Sequence, residues 1–151
     1  EALGVMRIEK GHAAGNELNG TTTALNLGLG RMVSKSKDSI GSVLSEREGM
    51  IRDDALMQVG FKPIDANEHV VAGSHLISIG DPANAAHDQG YVTSAAYSPI
   101  LGSSIGIGFL KNGATRKGDV VRAMNPVEGS EVMVEIVSTH FFDPEGVRLR
   151  A

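Results

Sequence analysis

The chain has 151 residues, 41% of them hydrophobic but only 4% aromatic and none Trp, so a single-domain core must be built mainly from Ile, Val, Leu and Met. There is no Cys, which excludes disulfides, thiolate metal ligands and a Cys nucleophile and fits a cytoplasmic protein. The formal charge is −4, with 6 acidic and 6 basic side chains in residues 1–50 against 12 and 8 in residues 51–151; with no basic stripe, nucleic acid is not an expected partner. No apolar run approaches the ~20 residues that span a bilayer, so a soluble chain with no membrane partner is expected. The 19 glycines predict many tight turns rather than long helices.

Residues 2–9 read as a strand, with Leu3, Val5, Arg7 and Glu9 on one face and Gly4, Met6 and Ile8 on the other. Arg7 and Glu9 then stand at i,i+2, placed either to hold a ligand or to pair with neighbouring strands. The chain begins at Glu1 and enters this strand at once, which leads us to expect a piece of something longer. Lys10 to Gly30 is rich in Gly, Asn and Thr and reads as loop. A short helix is predicted from about Ser39 to Glu48, capped by Asp38, with Ile40, Val43 and Leu44 on one face and Gly49 as its left-handed stop. Residues 49–54 read as a hinge.

Six or seven strands follow, at the spacing of a sandwich or barrel. Met57, Val59 and Phe61 alternate with Gln58, Gly60 and Lys62. A strand at His69–Ala72 is expected to continue past a Gly73 bulge through His75–Ile79. Gly90 to Leu110 is the centre of the region: two period-2 runs flank the Tyr97-Ser98-Pro99 connection and form a half-buried pair. Tyr91, Thr93 and Ala95 point one way in this reading, and Val92, Ser94 and Ala96 the other. Two more strands, Asp119–Met124 and Glu131–Ser138, flank the Asn125-Pro126 turn, with Val132, Val134 and Ile136 on one side. Asp143, Glu145, Arg148 and Arg150 read as an ion-pair set that pins the tail.

The motifs that carry chemistry are weak. Gly28-Leu29-Gly30 and Gly106-Ile107-Gly108 lack the third glycine and following helix of a dinucleotide fold, and read instead as close packing. His12, His69, His75, His87 and His140 match no metal spacing. No Gly-x-Ser-x-Gly elbow occurs.

Several short motifs nevertheless occur in a telling order: Arg7-Ile8-Glu9-Lys10-Gly11, Leu27-Gly28-Leu29, Lys37 to Gly41, Gly60-Phe61, Gly90 to Ser94 with Ser98-Pro99, Gly106-Ile107-Gly108, and Phe142-Asp143-Pro144-Glu145-Gly146. Together they resemble the aminomethyltransferase (glycine-cleavage T-protein) family, in the branch formed by the C-terminal parts of the alpha subunits of heterotetrameric sarcosine oxidases. The resemblance implies a mostly β fold: a Greek-key or jelly-roll-like C-terminal β-barrel over residues 51–151, preceded in residues 1–50 by the α+β tail of a folate-binding domain. Such enzymes oxidatively demethylate sarcosine to glycine and hydrogen peroxide, and pass the one-carbon unit to tetrahydrofolate. Flavin and NAD are implied elsewhere in the parent enzyme. The partners implied are the rest of the alpha subunit and the other subunits.

Leu3 stands where relatives carry a folate-contacting Arg, Ser39 replaces an aromatic residue, and no catalytic residue carries over. The resemblance leaves this chain a wall of the folate region, with Arg7, Glu9, Thr93, Ser94, Tyr97 and Ser98 as candidates. Two other readings stay open: a purely structural subunit-contact domain, and the C-terminal part of a dimethylglycine-oxidising or aminomethyltransferase relative. Apolar surface around Leu3, Val5, Ile40, Val43 and Leu44 is also expected to drive self-association of the isolated residues.

Overall fold

The computed structural model describes residues 1–148 and 150. Its centre is a closed barrel of six strands: β1 (Leu56–Pro63), β2 (His75–Ile77), β3 (Gly90–Ser98), β4 (Ser103–Lys111), β5 (Val120–Asn125) and β6 (Ser130–Val137). The order around the barrel is β1-β4-β3-β2-β5-β6, and every neighbouring pair is antiparallel. β2, β3 and β4 lie side by side in sequence, and β1 arrives beside β4 by the long 64–74 connection. That arrangement is a Greek key, and six strands fall short of the ~8 of a jelly roll.

The alternation in β1 places Val59 and Phe61 in the barrel interior, where they meet Leu76, Val92, Leu110 and Ile136. Full burial of each such side chain contributes about 1.5–3 kcal/mol. A second, smaller cluster lies outside the barrel wall: Ile105 and Ile107 of β4 pack against Ile8, with Ala96, Leu101 and Phe141 beside them. β4 is therefore buried on both faces, whereas its alternation had predicted a half-buried strand.

Residues 2–9 form a helix, α1 (Ala2–Glu9), and not the expected strand. Ala2, Leu3, Met6, Arg7 and Glu9 are strong helix formers, and helical winding turns Val5, Ile8 and Glu9 to one side. Ile8 and Glu9 are buried there, while Leu3 and Met6 face outward. The second helix, α2 (Ser42–Ser45), is a single turn inside the predicted 39–48 span. Its N-cap is Gly41 at φ 93°, not Asp38. Ile40, Val43 and Leu44 are all exposed, so no packing surface extends a helix this short.

Strand structure is also missing from His69–Ala72. The chain turns there, with Gly73 at φ 88° and the Ser74 N–H donating to Val71 O, which leaves β2 only three residues long. Val70 nonetheless reaches the core, its N–H bonded to Ser104 Oγ at 3.1 Å. In the tail, Asp143 is 3.9 Å from Lys10 and accepts the Val147 N–H at 2.8 Å, while Arg148 lies over the Phe142 ring at 4.9 Å. These contacts replace the predicted internal ion-pair set. Among the described residues no helix is long and apolar enough to cross a membrane.

Gly106 and Gly108 do mark close packing. A Cβ on Gly108 would lie 2.2 Å from Tyr91 O, a backbone atom held by the β3–β4 ladder. Gly108→Ala is expected to destabilise the barrel by about 3 kcal/mol, the upper part of the overpacking range, read as a lower urea midpoint at constant slope.

Candidate functional site

Helix α1 lies across β3 on the outside of the barrel, and the contact is polar at its centre. Arg7 projects from α1 toward Glu17, which sits in a short helical turn at Gly15–Glu17. Arg7 Nη1 donates to Glu17 Oε2 at 2.8 Å, and Arg7 Nη2 donates to Ser94 Oγ at 2.6 Å. Ser94 Oγ in turn donates to Glu17 Oε1 at 2.7 Å, closing a ring of three side chains. Glu17 Oε2 also accepts the Ala14 N–H at 2.9 Å. The Glu17 side chain is wholly buried, while Arg7 keeps 23% of its side chain in solvent.

A bulge makes this geometry. Val92 pairs with Gly108 but Ser94 pairs with Ile107, so Thr93 is an extra residue and the faces of β3 change over. Val92 and Ala95 turn into the barrel, and Ser94 turns out beneath α1. The uninterrupted alternation read from the sequence put Val92 and Ser94 on one face. Thr93 is buried, its hydroxyl donating to Ile107 O at 2.9 Å, and its carbonyl accepts from Asn16 Nδ2.

Glu9, the last residue of α1, and Ser98 form a second contact. Ser98 Oγ donates to Glu9 Oε1 at 2.6 Å, and both residues are buried. The Glu9 carbonyl accepts the N–H groups of Phe141 and Phe142, so this residue ties α1 to the tail as well as to β3. Tyr97 stands apart: it is 52% exposed, and its ring meets His69 edge-on at 6.3 Å. Of the six candidates, Arg7, Thr93 and Ser94 come together, Glu9 and Ser98 form a separate pair, and Tyr97 joins neither. Sequence reasoning missed Glu17. The only signal was half a capping box, a Glu three residues after Ala14 where Ser or Thr would normally stand.

Beside the ring runs an open groove of about 510 Å³, with Gly4, Val5 and Ile8 of α1 on one side and Thr93 to Ala96 on the other. Arg7 and Asn16 supply its polar edge. Among the described residues Arg7 bonds Glu17, Ser94 and His12 O, fewer partners than a guanidinium has N–H donors. The groove can thus offer hydrogen bonds from Arg7 and an apolar floor, the features of a wall for a flat ligand.

Burial pushes the Glu17 carboxyl up, but hydrogen bonds from Thr93, Ser94 and the Ala14 N–H, with the Arg7 charge, outweigh it and hold Glu17 below the usual carboxylate range. The Thr93 hydroxyl has one proton to divide between Glu17 and Ile107 O. A lowered folded pKa means that the unfolded chain takes up this proton first. The stabilisation is complete above the unfolded Glu value and is lost as pH falls through the folded one. Glu17→Gln is expected to cost about 3 kcal/mol near neutral pH, the low end for breaking a buried pair because Arg7 keeps water. It should also flatten the acid limb of stability against pH in denaturant titrations.

The family model of the Glycine cleavage T-protein C-terminal barrel domain matches residues 57–143, which takes in all six strands except the first residue of β1. Sarcosine oxidase subunit alpha of Rhizobium meliloti is 41% identical over 150 residues, 99% of this chain and 15% of that protein. Sarcosine oxidase subunit alpha from a Corynebacterium is 35% identical over 151 residues, again 15% of its length. The chain therefore spans about 15% of the length of these curated relatives. Among solved structures, the glycine cleavage system aminomethyltransferase T of Bartonella henselae superposes with a TM-score of 0.69 at 20% identity, covering 95% of this chain and 38% of that one. With more than half of its residues matched, the chain belongs to the glycine cleavage T-protein C-terminal barrel family.

Proposed function

We propose that this chain is the C-terminal portion of a sarcosine oxidase alpha subunit, where it completes one side of the tetrahydrofolate-binding region and carries no catalysis of its own. The observation that carries the reading is the groove between α1 and β3, in a chain 41% identical over 99% of its length to such a subunit. The parent enzyme would oxidatively demethylate sarcosine to glycine in the cytoplasm, with flavin and NAD held elsewhere and the one-carbon unit passed to tetrahydrofolate. In this reading Arg7, Thr93 and Ser94 face the folate. Glu9 and Ser98 hold α1 in place, and Tyr97 lies at the margin of the site.

The exposed apolar side chains of the 18–51 segment are the surface on which the preceding part of such a subunit would seat. Leu25, Met32, Ile40 and Val43 are among them. The boundary between a folate-domain tail and the barrel, at residues 50–51, belongs to the same proposal.

A scaffold reading competes with this one, because Arg7, Glu9, Ser94 and Ser98 are all engaged by other protein groups. Gly4 separates the two. It lines the groove, and a Cβ placed on it meets nothing within 4 Å. Gly4→Leu would fill the groove while favouring the helix. In the assembled enzyme, tetrahydrofolate is expected to bind at least tenfold more weakly by calorimetry, with sarcosine oxidation and subunit assembly unchanged. Unaltered folate affinity would overturn the wall and leave the scaffold. On the isolated chain, sedimentation is expected to show self-association that Val43→Glu together with Ile40→Glu reduces.

A further inference from the structure

The sequence holds two Asn-Gly pairs, Asn19-Gly20 and Asn112-Gly113. Because glycine carries no Cβ, its main-chain nitrogen can approach the side-chain carbonyl carbon of the preceding Asn. The fold treats the two pairs differently. Asn19 and Gly20 are exposed in the loop after Glu17, where the Thr22 N–H donates to Asn19 O at 3.1 Å. Asn19 Oδ1 accepts three hydrogen bonds: from the Thr21 N–H at 2.9 Å, the Thr21 hydroxyl at 2.7 Å and the Thr22 hydroxyl at 3.2 Å. A main-chain N–H only donates, so the atom facing it is the amide oxygen. The Gly20 N–H has no hydrogen-bond partner among the described residues. A Cβ on Gly20 would meet nothing within 4 Å, and Gly20 is not in the left-handed region, so neither packing nor backbone requires glycine there.

Three donors exceed the two lone pairs of a neutral amide oxygen, and an oxygen that takes on negative charge makes full use of them. Such a charge develops on Oδ1 when a nucleophile adds to Asn19 Cγ and the C=O electron pair moves onto the oxygen. The donors are already in place for it. Asn112 has a different setting: the neighbouring Thr115 hydroxyl donates to its main-chain carbonyl, at 3.0 Å, instead of to its side chain. Gly113 is buried against β1, where a Cβ would stand 2.7 Å from Val59 Cγ1 and 3.0 Å from Met57 O. That packing keeps the Gly113 nitrogen from turning toward Asn112 Cγ.

We infer that Asn19 is a self-modification site, independent of the function proposed above, at which the Gly20 nitrogen displaces the side-chain amide with water as the only co-reactant. Hydroxide takes the Gly20 N–H proton, and the nitrogen bonds to Asn19 Cγ. The amide nitrogen then gains a proton from water and leaves as ammonia, which closes a succinimide ring and returns the hydroxide. Water opens the ring. Cleavage of the bond from the Gly20 nitrogen to Cγ gives aspartate, and cleavage of its bond to the main-chain carbonyl carbon gives isoaspartate, with one extra methylene in the backbone. Water is consumed, ammonia is released and nothing is oxidised. The new carboxylate lies two residues after Glu17, and the isoaspartate form lengthens the chain between Glu17 and Asn26, whose Nδ2 donates to Leu56 O at 2.7 Å.

The 151-residue chain, incubated folded in mildly alkaline buffer and mapped by peptide mass spectrometry, is expected to show the amide-to-acid mass gain at Asn19 at least tenfold faster than at Asn112. In urea, where both pairs are unfolded, the two rates should converge. Gly20→Ala should slow the gain at Asn19 at least tenfold. Thr21→Val, which removes a hydroxyl and keeps the N–H, should slow it about threefold, well below the ~10²–10³ of a donor in a water-excluded oxyanion hole because this loop is open to solvent. Equal rates at the two pairs in the folded chain, or a Thr21→Val rate equal to that of the parent chain, would overturn the site.

Discussion

One buried carboxylate organises the outside of this barrel. Glu17 has no water contact, and a charge in that position is tolerated only with a cation and a full set of donors around it. Each supplier comes from a different place in the chain: Arg7 from α1, the Ala14 N–H from the turn that carries Glu17, and Ser94 from the strand below. Meeting that demand fixes three pieces of backbone at once. Residues 2–9 must wind so that Arg7 reaches back toward the turn, Gly15–Glu17 must close into it, and β3 must carry its extra residue so that Ser94 looks outward.

β4 is the common wall between this outer assembly and the barrel core. Ile105 and Ile107 face α1, while Leu110 faces inward. Gly106 alternates with the two isoleucines, and the space it leaves is filled by Val70 and Val92, whose methyls lie 3.1 Å and 3.4 Å from where its Cβ would be. A strand with bulky residues outside and glycine inside lets the interior close tightly around β1 and β3 side chains. It also gives the helix a flat apolar bed. The groove beside α1 exists because the helix rests on that bed through Ile8 while Gly4 withholds a side chain.

The barrel was legible wherever one residue in two faces the core without interruption. Met57, Val59 and Phe61 predicted β1 with its facing, and Val132, Val134 and Ile136 did the same for β6, because a strand buried on one face writes period 2 into the sequence. The Gly90–Leu110 pair was legible as strands but not in the facing of β3, since a bulge inserts one residue without any change of composition. The period-2 pattern of residues 2–9 was a coincidence of Leu, Val, Arg and Glu at odd positions. Helix propensity and the Ile105–Ile107 surface, which only the folded chain assembles, outweighed it. Arg7, Thr93 and Ser94 were singled out, yet the group that unites them was not, because Glu17 stands in a polar loop whose burial depends on residues 77 positions away.

The contact between Glu9 and the tail has a kinetic side. The Glu9 carbonyl takes the N–H groups of Phe141 and Phe142, and Gly11 lies so close to Thr139 that a Cβ there would stand 2.5 Å from its carbonyl oxygen. These pairings join residues about 130 positions apart, and β1 pairs with β6 across a shorter but still long stretch, from Gly60 opposite Val137 to Pro63 opposite Val134. Chain entropy must be given up before such contacts return anything, so topologies rich in them fold slowly. Helix α1, only two turns long and without a stable isolated form, waits for the last strand and the tail to arrive. Until they do, Ile8, Ile105 and Ile107 remain uncovered, and the partly folded chain is the species most open to aggregation.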